Sequence, residues 1–419
     1  MLMGEPPCSP RFSIHALLWK IQKIKTFQRL VRFACLRHGV ICLIECTMQE
    51  IYTFLGQSTN AMLSDIEKLV RLESPSKDAA AINKVQDQIE AMLEQYGTVK
   101  RHSHELGDIL HIQILGISSD RVLLMGHADT VYPHGTWKDN WRVEGDKVFA
   151  PGSYDMKAGI VQAIWALKAI FENGQRPSCT VDFLVTPDEE IASHAGRPYI
   201  EGLATGAKAV LVLEPPHLNG DLKVARKGVG GYRVFIRGKA AHQGTEPENG
   251  RNALVSTAYL IAEVIKLQDL AKGTTLGPNV IKGGSAMNVV CDEVYLEIDI
   301  RVWTSEEALR VDEAIRKIQP LEGTTYEILD GLNRPAMEPS DGTWVLLEKA
   351  QKIANALGFN PGAARVGGGS DGNFTARLAP TIDGFGAFGA NAHQKELEYI
   401  DIPSLAPRAA LIAGMLLEI

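Results

Sequence analysis

V-L-L-M-G-H-A-D-T, residues 122–130, is an apolar run that stops at a glycine and is followed at once by an imidazole and a carboxylate. A short run of this kind, bounded by turn residues, reads as a central strand buried on both faces. The pattern repeats twice. C-T-V-D-F-L-V-T (179–186) runs into P-D-E-E (187–190), and K-A-V-L-V-L-E (208–214) runs into Pro215 and Pro216. Between the first two runs, K-A-G-I-V-Q-A-I-W-A-L-K-A-I-F-E-N-G (157–174) sets Ile160, Ile164, Leu167 and Phe171 on one helical face and stops at Gly174. Strands alternating with such helices predict an α/β domain, in which ligands bind at the carboxyl ends of the strands. The imidazole and the carboxylates fall at those ends.

Working outward, residues 81–97 read as an amphipathic helix closed by Gly97. Near residue 220 the texture changes. Y-R-V-F-I-R-G-K-A-A (232–241), a helix from Asn252 to Leu267 and V-Y-L-E-I-D-I-R-V-W (294–303) suggest a small antiparallel sheet backed by helices. From about residue 331 the α/β texture returns and ends in an Ala/Leu-rich helix, 406–418. The expected organisation is one α/β catalytic domain, with helices flanking a mixed central sheet, built from residues 48–220 and 331–419. An α+β lid or dimerisation module, 221–330, interrupts it. Residues 1–47 carry seven Lys/Arg against Glu5 and Glu45 and hold four of the six cysteines. They are expected to be a poorly ordered extension that takes no part in the function, with Met48 opening the folded chain.

At 419 residues, 45% hydrophobic and 22% charged, the chain has the composition of a soluble globular protein and not of a disordered one. No run of about 18–20 apolar residues could span a membrane. A formal charge of −7 argues against a nucleic-acid partner. Only Cys179 and Cys291 lie outside the extension, which fits a reducing compartment and an expected cytoplasmic location, the basic extension leaving targeting open.

Two further elements carry ligand chemistry. G-S-Y-D-M-K (152–157) places Asp155 in a turn opening a helix, and G-F-G-A-F-G-A-N-A-H-Q-K-E (384–396) places His393 in a glycine-rich loop. His127, Asp155, Glu190, Glu214 and His393 then supply two imidazoles and three carboxylates. That mix suits two divalent ions, zinc first, with cobalt or manganese fitting the same donors. Three carboxylates and one hydroxide neutralise two such ions, and a neutral pair holds hydroxide near neutral pH. A carboxylate bound to metal cannot shuttle a proton, whereas its neighbour can, so Glu189 is the candidate general base. Asp129, two residues after His127, is placed to accept that imidazole's other N–H.

The order and spacing of G-H-A-D-T-V-Y (126–132), G-S-Y-D-M-K-A-G (152–159), P-D-E-E (187–190), L-E-P (213–215) and H-Q-K-E (393–396) resemble the co-catalytic zinc family of metallopeptidases and aminoacylases. Glutamate carboxypeptidase, acetylornithine deacetylase and succinyl-diaminopimelate desuccinylase belong to it. The resemblance runs from about residue 60 to the C-terminus and implies a zinc-exopeptidase-like catalytic domain. It implies Asp155 as the ligand shared by both metals, His127 and Glu214 on one, Glu190 and His393 on the other. H-A-D-T-V-Y-P-H-G-T (127–136) is similar to the glutamate carboxypeptidase branch. In that branch an arginine in a segment resembling N-R-P-A-M (333–337) grips the substrate's terminal carboxylate, which points to Arg334. G-K-A-A-H-Q-G (238–244) resembles the segment whose histidine, often from a partner subunit, stabilises the oxyanion, which points to His242. Asn288 stands where the family often has a substrate-contacting asparagine, although Val290 and Cys291 replace the proline usual after it. G-G-G-S-D-G-N (367–373) resembles the family's substrate loop and nominates Gly368 and Ser370. Asn373 stands where the desuccinylases carry a substrate-binding arginine, which counts against a succinyl-diaminopimelate substrate.

The expectation is a dinuclear metal-dependent amide hydrolase. Its substrate would be a small peptide or N-acyl amino acid, from which it releases a C-terminal residue such as glutamate. A homodimer through the inserted module is implied as well. The alternatives are an aminoacylase or deacetylase of small N-acyl amino acids and, more remotely, a non-catalytic metal- or ligand-binding protein on the same fold.

Overall fold

A computed structural model describes residues 40–419, with side chains from Thr47 onward. The expected extension therefore lies outside the described residues up to position 39. From Val40 the chain is helical, so α1 (Val40–Gln57) begins ahead of Met48 and not at it. The chain divides into two units, Met1–Glu50 and Ile51–Ile419, and the second holds every element that follows.

In chain order these are α2 (Thr59–Arg71), α3 (Ala79–Leu93), β1 (Thr98–His102), β2 (Ile109–Ile114), β3 (Ser118–His127) and the short β4 (Arg142–Glu144) and β5 (Lys147–Phe149). Next come α4 (Ala158–Glu172), β6 (Cys179–Thr186), α5 (Arg197–Ala204), β7 (Ala209–Val212) and β8 (Leu222–Arg226). A second group follows: β9 (Gly228–Arg237), α6 (Ala253–Ile265), β10 (Thr275–Gly283), β11 (Glu293–Val302), α7 (Ser305–Lys317) and β12 (Thr325–Arg334). The chain closes with α8 (Asp341–Ala356), β13 (Ala363–Val366), α9 (Gly372–Thr375), β14 (Thr381–Asp383), β15 (Gly389–Ala390), β16 (Tyr399–Asp401) and α10 (Leu405–Glu418).

Eight strands form a mixed sheet in the order β1-β2-β6-β3-β7-β14-β8-β13. The centre of that sheet, β6-β3-β7-β14, is parallel. Its strands are the continuous apolar runs of the sequence, and β6 and β7 are buried at every position. Helices cover both faces. α4 packs with α2 and α10 on one side, while Ile200 and Ala204 of α5 and Phe374 of α9 join Leu123, Met125 and Leu184 in a core on the other.

The second group builds an antiparallel sheet, β10-β11-β9-β12. Alternate residues of β11 (Val294, Leu296, Ile298, Ile300, Val302) pack with Leu260 and Val264 of α6 and Val311 and Ile315 of α7, the period-two burial of a one-faced sheet. The chain passes between sheets at Lys227 on the way out and Pro335 on the way back. β8, expected after the divide at 220/221, is bonded instead to β13 and β14 of the large sheet. The helix read over 81–97 spans Ala79–Leu93, and Gly97 lies beyond its end against the backbone of Gln113, where a side chain would collide. A third small sheet, β15-β16-β5-β4, ties the C-terminal loop to the segment before Asp155.

Candidate metal centre

Three adjacent parallel strands deliver the first candidate ligands. His127 is the last residue of β3, Glu190 follows β6 by four residues, and Glu214 follows β7 by two. Asp155 lies in a π-turn (Ser153–Lys157) leading into α4, with Gly152 before it at φ 65°. Gly159 lets this helix start close in, since a Cβ there would sit 2.1 Å from the Leu213 carbonyl beside Glu214. His393 arrives on the loop after β15 with φ 65°, an uncommon left-handed conformation for a residue with a side chain. Glu396 anchors that loop, accepting the backbone N–H of Lys138 (2.7 Å) and pairing with Arg142.

Asp155 sits between the two imidazoles. Its Oδ1 is 3.3 Å from His127 Nε2, and its Oδ2 is 3.2 Å from His393 Nε2. Glu214 Oε1 lies 3.6 Å from His127 Nε2, and Glu190 Oε1 lies 3.3 Å from His393 Nε2. His127 Nδ1 faces the Asp129 carbonyl at 3.0 Å, which accepts only, so Nδ1 carries the proton. Its Nε2 lone pair is thereby aimed at carboxylate oxygens, an arrangement that requires a cation or a proton between them. Glu190 Oε1 is buried without a hydrogen-bond partner. The electrostatics agree. Burial alone would lower the His127 pKa, yet Asp129, Asp155 and Glu214 hold it well above the usual value, and Asp155 and Glu190 push His393 up to about 11. Burial raises Glu190 and Glu214 above the ordinary carboxylate range. Such a concentration of negative charge and imidazole nitrogen fits divalent cations.

Asp129 reaches further than its expected partner. Its carboxylate lies 3.3 Å from His127 Nδ1 and accepts the backbone N–H groups of Glu189 (3.1 Å) and Glu190 (3.3 Å) and the Ser76 hydroxyl (2.7 Å). One side chain thus fixes both the His127 imidazole and the turn carrying the next two carboxylates. Glu189 faces the same pocket, and burial pushes its carboxyl well above the ordinary range. His127, Glu189 and Glu214 offer ligand atoms within 4.8 Å of one another, as do His127, Asp155 and Glu190.

The remaining nominated residues divide. Arg334, the last residue of β12, lines the pocket, but its NH2 donates to Glu189 Oε1 (2.9 Å), the Glu189 carbonyl (2.9 Å), Ser193 Oγ (2.8 Å) and Asp371 Oδ1 (3.2 Å). Its Nε is buried without a partner. Ser370 does not face the pocket, because its buried hydroxyl donates to Asp383 (2.6 Å). Gly369, not Gly368, lines the wall. His242 and Asn288 come together through the His242–Val289 bridge, but both are exposed and neither lines the pocket. Within one chain the structure does not bring them to the metal ligands.

Several residues had no local signal. Glu398, buried, accepts the Tyr132 hydroxyl (2.7 Å) and the backbone N–H groups of Tyr154 and Asp155, and burial raises it to about 7. It holds the turn that presents Asp155. Lys157, whose ammonium is pulled by burial down to about 7, donates to the Leu69 and Leu72 carbonyls and fastens that turn to the end of α2. Lys223, Arg226 and Arg301 line the pocket of about 450 Å³. A charged residue near a strand end is common, and only the fold shows that these three converge.

Residues 123–418 match the sequence model of Peptidase family M20/M25/M40. The chain belongs to this family. It is 31% identical over 370 residues to carboxypeptidase G2 of Pseudomonas sp. (strain RS-16), covering 86% of this chain and 89% of that one. To the succinyl-diaminopimelate desuccinylase of Verminephrobacter eiseniae it is 26% identical over 293 residues, 65% of this chain and 72% of that enzyme. The fold matches a tripeptidase from Staphylococcus aureus with a TM-score of 0.71 at 22% identity, covering 85% of this chain and 97% of that one. The M20/M25/M40 protein is therefore a metal-dependent hydrolase of the metallopeptidase and amidohydrolase class, with an α/β catalytic fold and an inserted antiparallel module. No helix among its described residues is long and apolar enough to cross a membrane.

Proposed function

We propose that this chain hydrolyses the amide bond of a peptide or N-acyl amino acid bearing a free carboxylate, releasing a C-terminal residue such as glutamate. The observation that carries the reading is one pocket holding both reactive and anchoring chemistry. His127, Asp155, Glu190, Glu214 and His393 converge around Asp155, while Glu189 and four cationic side chains line the same walls. His127 and Glu214 would hold one divalent ion, Glu190 and His393 the other, and Asp155 both, with zinc best matched to these donors and cobalt or manganese suited too. When bound, the ions supply Lewis acidity toward the attacking water and the scissile carbonyl.

The residues of the chain divide the remaining work. Glu189 takes the proton from the attacking water and returns it to the departing amine, a cycle served by a carboxyl whose protonated form burial favours. Arg334 holds the Glu189 carboxylate in place and keeps its unpartnered Nε for a substrate carboxylate. His242, exposed here, would reach the oxyanion of a neighbouring copy, which requires a homodimer through the module of β9–β12. Exposed Leu254, Val255 and Tyr259 on α6 support that surface. Buried, unpaired Cys179 and Cys291 agree with a cytoplasmic location.

The relative named carboxypeptidase G2, matched along most of both chains, favours release of a C-terminal residue over removal of a small acyl group. A panel of peptidyl- and folyl-glutamates against N-acetyl amino acids, scored by free amine, tests the choice. Glu189→Ala should keep both ions by elemental analysis and lose about 10²–10⁴-fold in kcat. Turnover near that of the parent enzyme would sink the proton-transfer role.

A further inference from the structure

A groove of about 650 Å³ opens between the end of α8 and the start of α10, and it shares no lining residue with the metal pocket. Its walls are mainly apolar, from Tyr52, Leu357, Phe359, Phe388, Pro403 and Pro407. The local sequence explains the opening. α8 stops at Ala356, and Gly358 at φ 90° turns the chain so that Leu357 and Phe359 both reach the groove. Pro403 and Pro407 stand around the first turn of α10, where a missing N–H is tolerated.

Arg408, also in that first turn, lines the groove and is only 2% exposed. Its Nε donates to the Gly386 carbonyl and its NH2 to the Gly384 carbonyl, but its NH1 is buried with no partner. Burial pulls the guanidinium down to about 10, with no carboxylate among the groups that oppose the shift. The other buried arginines differ: Arg226 meets Asp383, and Arg334 meets Glu189 and Asp371. Asp146 and Asp401 lie in the groove wall, yet neither comes within ion-pair distance of Arg408 among the described residues. A buried cation with an unsatisfied nitrogen and no counter-ion is costly, so its place in a groove wall points to an anion that completes it. α10 has no side-chain cap, and Ser404 and Pro407 bring its positive end to the same groove.

We propose that this groove binds an apolar carboxylic acid, with the carboxylate on NH1 of Arg408 and the hydrocarbon body along the apolar wall. One free nitrogen beside an apolar surface suits a monoanion with a hydrocarbon body, and a concave, largely apolar site with few polar groups is the usual form of a small-molecule site. The site does not depend on the hydrolase reading. It stands two hydrogen bonds from the metal centre, because the Gly386 N–H donates to the Glu214 carbonyl (2.9 Å).

The test is calorimetric titration of the metal-loaded protein with octanoate, 1-octanol and acetate. Octanol lacks the charge and acetate lacks the body, so octanoate should bind on the order of ten-fold more tightly than either, the worth of one charge-assisted hydrogen bond. Phe359→Ser shortens the apolar wall and Arg408→Met removes the guanidinium. Neither residue lines the metal pocket, so the variants separate groove binding from octanoate held by the ions. Each should weaken octanoate about ten-fold, and Arg408→Met should bring it level with octanol. Arg408 also braces Gly384 and Gly386; if its variant fails to fold, the preference of the parent for octanoate and its loss in Phe359→Ser decide the question. Octanoate binding no tighter than octanol in the parent, or undiminished in Phe359→Ser or in folded Arg408→Met, would overturn the site.

Discussion

Asp129 shows how one side chain can organise a centre it need not bind. It was legible in the sequence as a partner for His127, because two residues after a strand-end ligand is within reach of the same imidazole. Its bonds to the Glu189 and Glu190 backbones were not legible, since they join segments 60 residues apart. Asp129→Asn keeps the shape but replaces an accepting oxygen by an amide that faces N–H donors. We expect a loss of about 10–100-fold in metal affinity or activity, measured by metal titration and steady-state kinetics on the same preparation. An unchanged metal affinity and rate would show that the Glu189–Glu190 turn holds itself. Arg334 carries a second lesson. Its type suggested a carboxylate clamp; the structure gives its NH2 to Glu189, Ser193 and Asp371 and leaves its Nε without a partner in the pocket wall.

Among the elements, α4 depends on its first turn. Gly159 lies against the Leu213 carbonyl, and this approach sets Asp155 beside His127 and Glu214. Gly159→Ala leaves the helix propensity improved, so any loss must come from the collision with backbone. The expected cost is about 1–3 kcal/mol of stability, accompanied by weaker metal binding, read by thermal melting with and without added zinc. A more stable protein with full metal affinity would show that the helix can move without disturbing the centre. The strands were readable from their apolar runs, and α4 from its 3.6-residue period. The end of α3 was misplaced because Gly97 serves close packing on β2 and not a helix stop.

At the scale of the molecule, the pocket is made where two sheets meet. Val229, Arg301 and Arg334 come from the small sheet, and the ligands come from the carboxyl ends of the large one and the loop after β15. Without cations, the closely spaced carboxylates Asp155, Glu190 and Glu214 repel one another. Chelation should therefore lower the melting temperature, and readdition of zinc should restore it. At a thousand-fold excess over Kd the ligand contribution is roughly 4 kcal/mol per site. A melting temperature indifferent to chelator and zinc would argue against any tightly held ion in the folded state.

The sequence by itself determined the central strands, the helix between them, and the five candidate ligands with the neighbouring carboxyl that the structure gathers around Asp155. Each of these follows from local alternation of apolar residues and from which residue stands at a strand's end. It also nominated His242, Asn288, Gly368 and Ser370, and only the tertiary structure decided where they go. Ser370 turns to Asp383, Gly369 takes the wall, and His242 and Asn288 stay outside the pocket of their own chain. The convergence of Lys223, Arg226 and Arg301 was likewise invisible in the linear order. Such meetings depend on a one-residue slip in β8 and on how the second sheet returns to the first, which are properties of long-range pairing that no local pattern encodes.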